Sequence, residues 1–123
     1  MTQAHRDTTR LPIPFLDQFD FHPRIADTTG TVLVTFTSPD CGVCRHLRRV
    51  LQEIRGLKPD WHLFEVDAQR DPALSNEFEV FHLPTIFLFE DGVFHCELQA
   101  EARPLSIIHA TLAALQMPAE EAP

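Results

Sequence analysis

Two cysteines, Cys41 and Cys44, are separated by two residues in the segment Ser38-Pro39-Asp40-Cys41-Gly42-Val43-Cys44. Thiols at this spacing can close a disulfide across one helical turn or supply two ligands to a metal. The only other cysteine is Cys96, and an odd count does not make a disulfide framework. A zinc site would need His46, His82, His95 or Cys96 to complete four ligands, and structural zinc sites usually join two close pairs. No second close pair exists in the chain, so dithiol chemistry is the stronger reading and zinc the weaker rival. Covalent haem is disfavoured because Arg45 stands where the attachment motif needs His.

The elements around the pair give it a direction. Thr31-Val32-Leu33-Val34-Thr35-Phe36-Thr37 is β-branched and aromatic, which predicts a central, parallel strand buried on both faces. Ser38-Pro39-Asp40 stops it, and a helix is expected from Cys41 to Arg55. Leu47, Val50, Leu51 and Ile54 share one face of that helix, and Gly56 reads as its C-cap. Cys41 then sits at a helix N-terminus, where unpaired backbone N–H groups and the helix dipole favour a thiolate. Such placement can lower a thiol pKa from about 8.5 to between about 3.5 and 7.5. Cys44, one turn further in and aligned with the buried stripe, would resolve the mixed disulfide that Cys41 forms. Arg45 is placed to add positive potential, although the plainer reading of Arg45, Arg48 and Arg49 is a solvated helix face. Asp40 either opposes the thiolate or caps the helix.

The rest of the chain completes one domain. Residues 1–14 read as an irregular lead-in, in which Pro12 and Pro14 limit any strand to a sheet edge. Phe15 to Asp27 suggests a short helix broken near Pro23, with Phe15, Phe19 and Ile25 as its apolar positions. Trp61 to Asp67 reads as a strand, and Asp71-Pro72 opens a helix to Phe78. Pro84 leads into Thr85 to Phe89, and Asp91-Gly92 marks a hairpin to Val93–Leu98. Cys96 alternates there with Phe94 and Leu98, which predicts a buried or half-buried thiol. Pro104 opens a last helix with Leu105, Ile108, Leu112 and Leu115 as its stripe. The pattern predicts an α/β fold, a mixed sheet of 4–5 strands with right-handed parallel crossovers and helices on both faces. The domain is expected over 15–116, with 117–123 a frayed acidic tail.

With 123 residues and a net charge of −8, the chain lacks the basic footprint of a nucleic-acid or anionic-membrane binder. Phe87, Phe89 and Phe94 read as core, since no basic residues interleave with them as base-stacking sites require. No apolar run approaches the roughly 20 residues of a membrane span, and Met1 to Arg10 is polar with no apolar targeting segment. A cytoplasmic monomer is expected.

Three blocks resemble the thioredoxin family: Val32–Phe36 leading to Cys41-Gly42-Val43-Cys44, Val66-Asp67 with Asp71-Pro72-Ala73-Leu74, and Leu83-Pro84-Thr85-Ile86-Phe87-Leu88-Phe89 with Asp91-Gly92. The resemblance implies a thioredoxin fold and thiol–disulfide exchange with protein disulfide substrates in cell redox homeostasis. An external electron-donor reductase would supply electrons, with no metal or organic cofactor. It implies that Pro84 is a cis-proline beside the cysteines, and that Gly42, Val43, Leu83, Pro84 and Thr85 meet the substrate, Leu83 through its backbone. The chain departs from the family at Asp40, usually Trp, at Val43, usually Pro, and at Thr35, usually a buried Asp that moves a proton for the second cysteine. Glu65 stands where Lys is common and is a candidate to take over that proton transfer. These departures leave an alternative, a thioredoxin-fold binding or chaperone-like accessory module with little reductase activity.

Overall fold

The computed structural model describes residues 11–123, so residues 1–10 of the expected lead-in lie outside it. The elements run α1 (Phe21–Ala26), β1 (Thr31–Thr37), α2 (Gly42–Leu57), β2 (His62–Asp67), α3 (Pro72–Glu77), β3 (Thr85–Glu90), β4 (Val93–Leu98) and α4 (Pro104–Leu115). The sheet order is β2-β1-β3-β4. All seven residues of β1 are buried, as its unbroken β-branched and aromatic run requires of a central strand. Only the β1–β2 pair is parallel; β3 runs antiparallel to β1, and β4 antiparallel to β3. The expected series of parallel crossovers therefore reduces to one.

Each sheet face carries its own core. On one face Leu33, Leu63, Ile86 and Leu88 pack with Leu47, Val50, Leu51 and Ile54 of α2 and with Ile107 and Ile108 of α4. On the other, Val32, Val34, Phe36, Phe64, Phe87 and Phe89 pack with α1, α3 and Phe78. Burying each such side chain contributes about 1.5–3 kcal/mol. Phe78 is the hub of the second core, with the rings of Phe21, Phe36, Phe87, Phe89 and Phe94 at 5.3 to 6.3 Å.

Several sequence expectations shift. The segment before α1 is not helical, because the Asp17 carboxylate accepts the Phe19 and Asp20 amides and holds a turn there. Phe15 instead forms a parallel bridge with Glu65 at the outer edge of β2, and Phe19 is exposed. Pro23 lies in the first turn of α1, where a missing N–H breaks no helical bond. Ile13 and Leu16 are buried although residues 11–14 have no regular structure. Helix α2 continues through Gly56 to Leu57. In α4 the buried side is Ile107, Ile108 and Thr111, while Leu105 and Leu112 are exposed. A register shift between Leu88 and Phe89 makes His95 an extra residue in β4. That bulge turns Phe94 to the α1/α3 face, while Cys96 and Leu98 face α2 and α4. The end of the chain is not frayed at Glu120, whose amide donates to the His95 carbonyl at 2.7 Å. Among the described residues no helix is long and apolar enough to cross a membrane.

Two positions expose the backbone constraints. Asp91 and Gly92 take φ of +51° and +80° in the β3–β4 turn, and a Cβ on Gly92 would lie 3.0 Å from the Ala26 carbonyl oxygen. At the end of α3, Glu79 takes φ +53°, its amide bonds to Asn76 and that of Val80 to Ser75. This is the left-handed closing position that favours glycine. In urea unfolding, Gly92→Ala is expected to lower stability by about 1–3 kcal/mol, and Glu79→Gly to raise it by up to about 1 kcal/mol.

Candidate functional site

Four residues separate the end of β1 from the start of α2, and within them the Cys41 amide bonds back to the Ser38 carbonyl at 3.3 Å. Cys41 is the N-cap of α2, so Asp40 precedes the helix without capping it. The Cys41 sulfur accepts the Cys44 amide at 3.1 Å, as a group at a helix N-terminus should. Cys41 and Cys44 are joined by a disulfide, with Cα atoms 5.2 Å apart. The two sulfurs sit in different surroundings: Cys41 is half-buried, whereas Cys44 is 0% exposed. Arg45 folds back over the first turn, with a guanidinium nitrogen 3.6 Å from where a Gly42 Cβ would be.

The Leu83–Pro84 peptide is cis. Pro84 and Thr85 line a cleft with Val43, Leu47, His82 and Leu98, so the start of β3 and the first turns of α2 face the same opening. Val43 is 60% exposed at its rim, and Phe81, one residue before His82, is 88% exposed. Gly42 and Leu83 do not line the cleft; the Leu83 side chain packs against the core on the opposite sheet face. The histidines considered as zinc ligands disperse. His46 bonds to the Ala102 carbonyl, His95 bonds to the Ala114 carbonyl, and His82 lines the cleft. Cys96 is buried and free, and burial pushes its thiol pKa up, helped by the nearby charges of Glu120 and Glu97.

Glu65 is 1% exposed and faces α2. Its carboxylate accepts Arg48 Nε at 3.0 and 3.1 Å, a second and closer contact from the Arg48 Nη2, and the Thr37 hydroxyl at 2.6 Å. The hydrogen bonds to Glu65, aided by its charge, push the Arg48 guanidinium above its already high range against the effect of burial. Both Glu65 oxygens are thus engaged by Arg48 and Thr37, with neither sulfur among the partners. Arg48, read from sequence as part of a solvated face, is the residue that reading missed. Its position four residues after the buried Cys44 was the available signal, since i and i+4 share a helix face.

The chain is similar to known proteins along most of this framework. A family model described as Thioredoxin matches residues 13–114. The thioredoxin of Mycoplasmoides gallisepticum is 32% identical over 69 residues, covering 56% of this chain and 69% of that protein. That of Mycolicibacterium smegmatis is 35% identical over 75 residues, covering 58% and 67%. Mitochondrial thioredoxin 3 from Saccharomyces cerevisiae, in its oxidised form, superposes with a TM-score of 0.72 at 22% identity, covering 82% of this chain and 94% of that one.

Removing the Glu65 charge leaves the Arg48 guanidinium half-buried without its partner. Glu65→Gln is expected to lower stability to urea by about 1–3 kcal/mol while the pH profile of disulfide exchange stays unchanged. A displaced profile would assign the carboxylate a part in proton transfer.

Proposed function

This chain belongs to the thioredoxin family and is a thiol–disulfide oxidoreductase, and on that premise we propose that Cys41 attacks protein disulfides and Cys44 resolves the product. The observation that carries the assignment is the asymmetry of the pair. Cys41 is half-buried at a helix N-terminus, and Cys44 is sealed on the buried face one turn inside.

The chemistry balances with two thiols and no further group. The Cys41 thiolate attacks one sulfur of the substrate disulfide, and the other leaves as a thiolate that takes a proton from solvent. The Cys44 thiolate then attacks the Cys41 sulfur. The Cys41–Cys44 disulfide forms, the second substrate sulfur leaves, and two electrons have passed to the substrate. A dithiol on an external reductase reverses this by the same exchange. Val43 on one side of the cleft and Pro84 and Thr85 on the other would hold an extended substrate segment, with Gly42 and the Leu83 backbone meeting it beyond the cleft. The exposed Val43 and Phe81 side chains add apolar contact. Glu65 anchors α2 in this reading, and proton transfer to Cys44 is its alternative role. The buried free thiol of Cys96 suits a reducing compartment, and we place the protein in the cytoplasm as a monomer.

Cys41→Ser is expected to abolish dithiothreitol-coupled reduction of a model protein disulfide. Cys44→Ser should instead accumulate a mixed disulfide with the substrate, visible on non-reducing electrophoresis. Turnover that persists in Cys41→Ser would assign the fold a binding role. In the reduced native protein, iodoacetamide should modify Cys41 first and leave Cys96 unmodified, as mass spectrometry can check.

A further inference from the structure

The hydroxyl of Thr35 has no hydrogen-bond partner among the described residues, although Thr35 is only 1% exposed. An unpaired buried hydroxyl costs stability, so such a group calls for a reason. Thr37, two residues along the same strand, shows the ordinary outcome by donating to Glu65.

The register places Thr35 on the sheet face that α2 covers. Side chains alternate along a strand, so Thr35 shares the face of Leu33, which packs in the core with Leu47 of α2. Its neighbours across the sheet are Glu65 on β2 and Ile86 on β3. Glu65 binds Arg48, and Ile86 lines the cleft with Val43 and Leu47. Of the residues on either side of Thr35, one is bonded to Arg48 of α2 and the other shares a cleft with Val43 and Leu47. Cys44 is one turn before Leu47 and Arg48, on the buried face of the same helix.

In the disulfide state the Cys44 sulfur is tied to Cys41. We propose that Thr35 is a positioning residue specific to the reduced state, whose hydroxyl is taken up by the freed Cys44 sulfur once the disulfide opens. Opening takes two electrons and two protons from an external dithiol, whose own disulfide forms as the Cys41–Cys44 bond breaks. The released sulfur can then turn about its side-chain bond toward the sheet. A threonine hydroxyl has one donor and two acceptor sites, so it serves Cys44 both as thiol and as thiolate. The bond from the hydroxyl to the thiolate is charge-assisted and the stronger of the two. Thr35 takes no proton from Cys44. It stabilises the reduced pair relative to the disulfide and favours the thiolate that attacks Cys41. The inference rests on the exchange reading of Cys41 and Cys44.

The test uses the full chain with Thr35→Val, which keeps the shape and removes the hydroxyl, and Thr35→Ser, which keeps the hydroxyl. Equilibration against dithiothreitol buffers should show the Val variant reduced roughly fivefold less readily, about 20 mV more negative for a two-electron couple. The Ser variant should stay near wild type. Thermal unfolding of each redox state supplies a readout that a purely structural role would not give. Thr35→Val should raise the melting temperature of the disulfide form, where the hydroxyl is unpaired, and lower that of the reduced form. An unchanged potential in Thr35→Val, or melting temperatures that move together in both states, would overturn the proposal. If wild type interconverts in these buffers and Thr35→Val matches it, only the role of Thr35 falls. If wild type itself does not interconvert, the exchange reading falls and this inference with it.

Discussion

Strand β1 is walled in on both faces, so its side chains are apolar or need a partner, a demand that Thr35 alone leaves unmet in the disulfide state. Two layers depend on this strand, α2 with α4 on one side and α1 with α3 on the other. Helix α2 follows within a few residues, and its buried stripe of Cys44, Leu47, Val50, Leu51 and Ile54 presses it against the sheet. The N-terminus of α2 is thereby fixed at the carboxyl end of the central strand. The cysteines take their geometry from that packing, one at the helix mouth and one on its floor.

Below this floor the sheet turns polar. Thr35, Thr37 and Glu65 occupy positions that apolar side chains fill further back, at Leu33 and Leu63. Arg48 descends from α2 to meet Glu65, so one charged pair joins the cysteine-bearing helix to β2. A charged pair held this way gives direction more than net stability, because each partner gives up solvation to reach the other. Its geometry sets the height of α2 over the sheet one turn beyond Cys44.

Much of this was legible in the sequence because the signals were local. The run Thr31–Thr37, the stripe of α2, the Asp91-Gly92 turn and the spacing of the cysteines each declare themselves within a short window. What escaped was set by distant partners. The Asp17 side chain builds a turn where the apolar spacing suggested helix, and the parallel bridge to Glu65 claims Phe15. The bulge at His95 sends Phe94 to the opposite face from the one that strict alternation assigns. The stripe of α4 is rotated because that helix packs against both β4 and α2. Arg48 looked like one of three surface arginines until the fold put Glu65 beneath it. The order of strands was also hidden, since nothing within β3 says whether it enters beside β1 in the same or the opposite sense.

Strand β4 is the outer strand of the sheet, and an unpaired outer strand is a template on which another chain can add. Here the bulge at His95 interrupts the ladder, and the Glu120 amide occupies the His95 carbonyl from outside. The run that an intruding strand could read is cut in its middle. The same residue that spoils the alternation of β4 thus shortens the strip available for sheet-to-sheet growth, and the acidic side chains of Glu120 and Glu121 add repulsion between like copies. The sheet therefore has two unlike borders: the end beside Cys41 and Cys44, where thiol–disulfide exchange takes place, and the β4 edge, which offers an added strand little to hold.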